Sequence, residues 1–435
     1  MTTTHHLLAP ADASRPFTRV GLRTRIARNL VLRQLQGLAH GRLVLEDVFD
    51  GSVHSFGDPA QFPVRATVRV LDPDFYAAMA ARGSVGVAEA WMSGAWTCDD
   101  LPAVVQIMVR NREVLEGMEG GIARLFQPLL RLLHARNSNT RTGSRRNIAA
   151  HYDLGNAFFA EFLDPTLTYS CGVFEREDAT MEEASIAKID RLCRKLDLKP
   201  TDHLVEIGTG WGAFAVHAAR EYGCRVTTTT ISREQHAVAA ERIREAGLED
   251  RVTLLLEDYR DLTGQFDKLV SVEMIEAVGH QFLPTYLQKC ASLLKPDGMA
   301  AIQAILIADQ RYESALREVD FIKRYIFPGS FIPSTTAIVD AATKHTDLRL
   351  HHMEEMGAHY ATTLRRWREA MYENLGNIRA QGYSEEFLRM WEYYLCYCEG
   401  GFAERFLGVG QYLFTKPWAK PEPLLPARSA LRAHA

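Results

Sequence analysis

The run Val205-Glu206-Ile207-Gly208-Thr209-Gly210-Trp211-Gly212 constrains the fold of this chain more than any other feature. A short apolar segment, 203–207, leads into three glycines at alternate positions and then into a helical pattern over 214–222. Such glycines let a backbone turn tightly and approach a ligand where a Cβ would intrude. The same rhythm extends to both sides. Hydrophobic patterning predicts helices over 181–196, 234–245 and 283–293, and strands over 225–229, 252–256, 268–272 and 299–307. Strands alternating with helices in this way predict a parallel, doubly wound α/β sheet.

The glycine spacing separates two kinds of nucleotide site. Hydride-transfer folds use G-x-G-x-x-G with an acid about 20 residues on, at the end of the second strand. Here the pattern is G-x-G-x-G, and the second strand runs into Thr229-Thr230-Ile231-Ser232 without an acid. The acids stand instead at Glu206, ending the first strand, and in Glu257-Asp258-Tyr259, after the third. An adenosyl ligand needs contacts for its amino-acid part, its ribose and its adenine, and three strand ends supply them. That is the layout of S-adenosylmethionine-dependent methyltransferases. It makes Glu206, Gly208, Gly210, Gly212, Thr230, Asp258 and Tyr259 candidate cofactor-binding residues. The alternative is a glycine cluster that only packs a helix on the sheet.

The first third of the chain reads differently. Arg19, Arg23, Arg25, Arg28 and Arg33 interleave with Val20, Leu22, Ile26 and Leu30 at helical spacing, as in an amphipathic surface helix. A strand over 64–70, short helices over 75–81 and 85–92 broken at Gly83, and a helix over 101–115 complete a small α+β domain, assigned to 1–125. Residues 1–150 hold 18 arginines, no lysine and 13 acids, a balance of +5 in a chain of net charge −4. From Gly120 to Tyr152 there are six arginines and no acid. Such a block suits an anionic surface, lipid or nucleic acid, or a solvated linker face. A basic linker is assigned to 126–147 and a catalytic domain to 148–435. No apolar run reaches the ~18 residues of a membrane span. The N-terminus lacks a signal pattern, and seven scattered cysteines without C-x-x-C spacing fit neither a disulfide framework nor a zinc site. The expected compartment is the reducing cytoplasm.

Further motifs surround the glycine loop. They are His151-Tyr152-Asp153-Leu154-Gly155-Asn156, Leu163-Asp164-Pro165, Thr168-Tyr169-Ser170-Cys171, Thr230-Ile231-Ser232-x-x-Gln235, Asp258-Tyr259-Arg260-Asp261-Leu262, Ile275-Glu276-x-Val278-Gly279, Tyr325-Ile326-Phe327-Pro328-Gly329 and Gly357-x-x-Tyr360-x-x-Thr363-Leu364. Together they resemble the cyclopropane-fatty-acyl-phospholipid synthase family, which includes the mycolic acid cyclopropane synthases. The resemblance runs from about 148 to 416. It reaches the first domain at Gly83-Ser84-x-Gly86-x-x-Glu89-x-Trp91-Met92-x-Gly94, as in phospholipid-acting members with an N-terminal lipid-handling domain.

The resemblance implies a Rossmann-like methyltransferase sheet with a helical lid or insertion. It also implies methyl transfer from S-adenosylmethionine to the alkene of a phospholipid acyl chain, giving a carbocation that loses a proton as a cyclopropane closes. Tyr169, Ser170, Ile231 and Gln235 match cofactor contacts. The family's proton acceptor is a bound bicarbonate held by cysteine, glutamate, histidine and tyrosine side chains and a backbone group. The cysteine matches Cys171, the glutamate Glu276 and the tyrosine Tyr360. The histidine position is Gln303 here, and a glycine usual three residues before the glutamate is Glu273. Either Glu273 supplies the base and replaces bicarbonate, or it points elsewhere and Gln303 holds bicarbonate through its amide. Cys398 matches a C-terminal cysteine of the family, although methyl transfer to an alkene needs no covalent intermediate. The aromatic residues around it, Trp391, Tyr393, Tyr394 and Tyr397, read as helix core. The expected partners are unsaturated phospholipid acyl chains at an anionic membrane surface, on the inner face of the plasma membrane; a homodimer is admitted and nucleic acid is not expected. The other readings are the same transfer without ring closure, leaving a methylene or methyl branch, and a small-molecule or RNA methyltransferase.

Overall fold

The structure is a computed structural model that describes residues 21–114, 139, 143 and 155–421. The arginine-rich block 120–152, the assigned linker and the motif residues 151–154 therefore lie outside the described residues, apart from Asn139 and Gly143, as do Arg19 and Val20.

The chain packs as two compact units, and the division differs from the assigned domains. The first combines residues 1–138 with 313–329 and 360–407; the second combines 139–312, 330–359 and 408–435. Much of the expected helical insertion thus groups with the N-terminal segment. The physical reason lies in helix packing. Helix Glu385–Ala403 lies so close to helix Leu101–Arg110 that a Cβ on Gly400 would come within 2.7 Å of Val105. Trp91 also donates to the carbonyl of Arg389 at 3.1 Å.

In the first unit, strands β1 (Arg42–Asp47), β2 (Ser52–Phe56), β3 (Arg65–Val70) and β4 (Trp96–Cys98) form a sheet in the order β2-β1-β3-β4. The β1–β3 pair is parallel and the other two pairs are antiparallel, so the predicted α+β character holds. The two helices expected on either side of Gly83 form one kinked stretch, Asp74–Met92, with Gly83 at φ 57.

In the second unit, β5 (His203–Ile207), β6 (Arg225–Thr229), β7 (Val252–Leu255), β8 (Phe266–Val272), β9 (Leu294–Ile307), β10 (Arg349–Glu355) and β11 (Leu407–Thr415) form a seven-stranded sheet. Its order is β10-β11-β9-β8-β5-β6-β7. Strands β5 to β9 pair in parallel, and β10 runs antiparallel to β11. The chain starts in the middle of the sheet and winds outward twice, which places the ends of β5 and β8 at the point where strand order reverses. Open α/β sheets bind ligands there. One core layer joins Leu204, Val226 and Val270 of the sheet to Leu192, Phe214 and Ile243 of three covering helices. All seven cysteines are free thiols.

Candidate active site

The glycine loop connects β5 to helix Ala213–Glu221, and all three glycines have positive φ: 100° at Gly208, 53° at Gly210 and 92° at Gly212. They differ in surroundings. A Cβ on Gly212 would come within 3.2 Å of Ala239, and one on Gly208 within 3.3 Å of Met274, so these two permit close packing. A Cβ on Gly210 would meet nothing within 4 Å. The loop therefore borders open space at Gly210, where packing gives no reason for a glycine.

Beneath the loop, Glu206 is buried and accepts from the Thr228 hydroxyl at 2.6 Å; Thr228 also meets the Thr209 hydroxyl at 2.6 Å. Burial raises the Glu206 carboxyl to about 8. Glu206 thus reaches the loop through two threonines. Beside it, Trp211 donates to Asn156 at 2.7 Å and packs on Phe159, which in turn meets the ring of Tyr169. Ser170 accepts from the buried Lys188 at 2.9 Å. After β6, the Thr230 hydroxyl donates to Gln235 at 2.9 Å, and Ser232 caps helix Arg233–Glu245 at the Gln235 amide, which fixes the turn that carries Ile231. Asp258 is buried and bonded to Arg260 at 2.7 and 2.8 Å, and the Tyr259 ring meets Tyr286 edge-on. The Tyr259 ring is thus fixed against Tyr286, and Asp258 holds the turn on which it stands.

The second cluster forms where β8 ends beside β9. Glu273 follows β8 directly, and its Oε1 accepts from the Cys171 backbone N–H at 3.0 Å and from the Gln303 side chain at 2.8 Å. Its backbone adopts φ 48, a region that favours glycine. Glu276, on the turn Ile275–Ala277, accepts from the Ile305 N–H, while its Oε2 is buried with no hydrogen-bond partner among the described residues. Burial, and then the nearby Glu273, raise the Glu276 carboxyl to about 8. The structure thus brings Cys171, Glu273, Glu276 and Gln303 together. Tyr360 and Cys398 belong to the first unit. There Tyr360 packs against Phe402 and Trp367, and burial pushes the Cys398 thiol up, away from nucleophilic use. Trp391, Tyr393 and Tyr394 are buried helix core, as expected.

Sequence reasoning missed four polar residues that join this cluster: Lys188, Lys195, Gln411 and Glu354. The signal was present for one of them. Gln411 interrupts the apolar run Val409 to Phe414 just as Gln303 interrupts 301–305, and Gln303 and Gln411 are both fully buried.

A parallel sheet entered through a G-x-G-x-G loop, with acids and aromatic rings at its strand ends, defines an S-adenosylmethionine-dependent methyltransferase of the Rossmann-like class. The chain belongs to the mycolic acid cyclopropane synthetase family, which it matches over residues 139–412. It is 37% identical to tuberculostearic acid methyltransferase UfaA1 of Mycobacterium tuberculosis, over 93% of this chain and 94% of that one. It is 37% identical to cyclopropane-fatty-acyl-phospholipid synthase of Escherichia coli, over 81% of this chain and 88% of that one. The solved mycolic acid cyclopropane synthase CmaA1, complexed with SAH and CTAB, superposes with a TM-score of 0.59 at 31% identity, covering 62% of this chain and 98% of that one.

Proposed function

We propose that the enzyme transfers the methyl carbon of S-adenosylmethionine to the double bond of unsaturated acyl chains in membrane phospholipids and closes the product to a cyclopropane. Bound S-adenosylmethionine would supply an electrophilic methyl group. The glycine loop would admit its backbone at Gly210, with Tyr169, Ser170, Ile231, Gln235 and Tyr259 as its other neighbours. The relative named for phospholipid cyclopropanation supports the substrate class. The exposed face of helix Leu22–Leu35 supports a membrane partner. It presents Leu22, Ile26 and Leu30 to solvent beside Arg23, Arg25 and Arg33.

One observation carries the chemistry: the half-buried Glu273 carboxylate sits in the polar cluster, where the Cys171 N–H and the Gln303 side chain donate to it. After methyl transfer the acyl carbocation must lose a proton, and Glu273 is the acceptor. Glu276, raised to about 8, keeps its own proton at neutral pH, so the two carboxyls do not compete as anions. Bicarbonate fits this pocket poorly, because the Gln303 NH2, at the family's histidine position, already donates to Glu273. Activity of the wild type is expected to survive bicarbonate depletion. Glu273→Gly should make turnover depend on added bicarbonate, Gln303→His should strengthen that rescue, and Glu273→Gln should stay inactive either way. Loss of wild-type activity on depletion, with Glu273→Gln fully active, would return the base role to bicarbonate.

The same observation favours a second reading. A fixed carboxylate in place of a diffusible anion changes which proton is taken: loss of one from a chain carbon leaves a methyl-branched alkene, and a 1,2-hydride shift followed by loss of one from the new methyl group leaves a methylene branch. The relative that matches 93% of the chain is named for methyl transfer and not for a cyclopropane. Lipids from cells expressing the chain, analysed by gas chromatography and mass spectrometry before and after hydrogenation, separate the two products. A cyclopropane survives mild hydrogenation, whereas a methylene branch takes up hydrogen.

A further inference from the structure

Glu273 stands at the end of a hydrogen-bonded chain that crosses the sheet. Its Oε1 accepts from Gln303 Nε2 at 2.8 Å; Gln303 Oε1 accepts from Gln411 Nε2 at 2.9 Å; Gln411 Oε1 accepts from Lys195 Nζ at 2.7 Å. Lys195 Nζ also donates to Glu354 at 2.6 Å, and Arg191 holds the same carboxylate from helix Met181–Lys195. The residues come from four neighbouring strands in sheet order, Glu354 on β10, Gln411 on β11, Gln303 on β9 and Glu273 after β8. Adjacent strands bring side chains on one face within reach of each other.

The chain has a direction. A primary amide can turn over and exchange its donor and acceptor ends, but an ammonium only donates. Lys195 therefore compels Gln411 to present its oxygen to Lys195 and its NH2 to Gln303. Gln303 must then accept on its oxygen and present its own NH2 to Glu273. A donor facing Glu273 stabilises the ionised carboxylate, the form that can take a proton. Were Gln303 reversed, its oxygen would face Glu273 and favour the protonated acid.

We infer that Lys195 and Gln411 are positioning residues that fix the orientation of Gln303 and so hold Glu273 ionised. This rests on the reading of Glu273 as the base. Other titratable groups face the two ends. Glu276 and Lys188 act on Glu273, and Glu354, Arg191 and His352 surround Lys195. Glu354 is pulled down to about 2, chiefly by Arg191 and with help from Lys195, so a negative charge keeps the ammonium in place despite its burial.

Gln411→Glu is the decisive variant. A carboxylate there still pairs with Lys195 but can only accept from Gln303, which must then turn its NH2 away from Glu273. Infrared titration of the purified enzyme, with the Glu273 carboxylic band identified by subtracting Glu273→Gln, reads the ionisation directly. The band should persist to a pH higher by about one unit or more than in the wild type. The acidic limb of kcat should move up by the same amount, because activity is lost as pH falls through the pKa of the base. Lys195→Met and Gln411→Leu should shift both in the same direction, and Lys195→Arg, which keeps a donor-only group, should restore them. An unmoved Glu273 band in folded Gln411→Glu and Gln411→Leu overturns the inference. A band that moves while the limb of kcat stays upholds the positioning role and removes Glu273 as the base.

Discussion

Glu273 occupies a backbone position that suits glycine, at φ 48, and such strain costs on the order of 1 kcal/mol. Its carboxylate also accepts from the Cys171 N–H and the Gln303 side chain, so the surrounding structure holds the residue in that conformation. Gly210 is the converse case, a glycine at φ 53 with open space where its side chain would be. Gly210→Val should abolish S-adenosylmethionine binding in isothermal calorimetry while the fold persists by circular dichroism; unchanged affinity in a folded variant would remove the loop from the cofactor site. Glu206 and Glu276 give a pH prediction. Both carboxyls are raised to about 8 by burial, so on unfolding they release protons at any pH between the ordinary carboxylate range and 8. Their contribution to stability is complete below the unfolded pKa and is lost progressively until pH passes about 8. The melting temperature should therefore fall from pH 5 to pH 8. Glu276→Gln should flatten part of that fall, by removing a pH-dependent stability difference on the order of a few kcal/mol. A parallel slope in the variant would show that Glu276 is ionised in the fold.

At the level of elements, helix Leu22–Leu35 shows how far periodicity can be read. Thr24, Ala27, Val31 and Leu35 form its buried stripe, so the apolar residues picked out in the sequence, Leu22, Ile26 and Leu30, lie on the exposed side. Arg28 does not belong to the solvent-facing basic set. It turns inward onto Asp47 and Asp50 and stacks near Phe49 and Tyr76. The remaining exposed arginines predict binding to anionic vesicles that weakens with salt, each being worth ~1 kcal/mol near the surface. Replacing Leu22, Ile26 and Leu30 together by serine should lower vesicle affinity in a sedimentation assay and leave turnover on detergent-dispersed substrate intact. Equal binding by this variant would assign membrane contact to another surface.

Across the whole molecule, the strands β5 to β9 and their helices fall within a few residues of the expected positions, because each carries its own apolar period and turn signals. Strands β10 and β11 escaped notice. β10 is the edge strand of the sheet and its burial pattern shows no alternation, while β11 is buried almost throughout and has no period to read. The assigned domain boundary escaped for a related reason. Residues 360–407 read as helices like those of the catalytic domain, and only packing shows that they group with the N-terminal sheet. No helix among the described residues is long and apolar enough to cross a membrane.

The sequence by itself determined the sheet, the glycine loop and the identities of Cys171, Glu273, Glu276 and Gln303, since local period, glycine conformation and short motifs are properties of neighbouring residues. It left open whether Glu273 meets Gln303, because a side chain's direction depends on the backbone angle at one residue and on partners 30 and 102 positions away. The tertiary structure alone decided that Glu273 meets Gln303, and that Gln303 is oriented through Gln411 by Lys195, 216 residues from Gln411 in the chain. No spacing rule reaches that far: the contact exists only because the sheet lays β11, β9 and β8 side by side over the end of one helix.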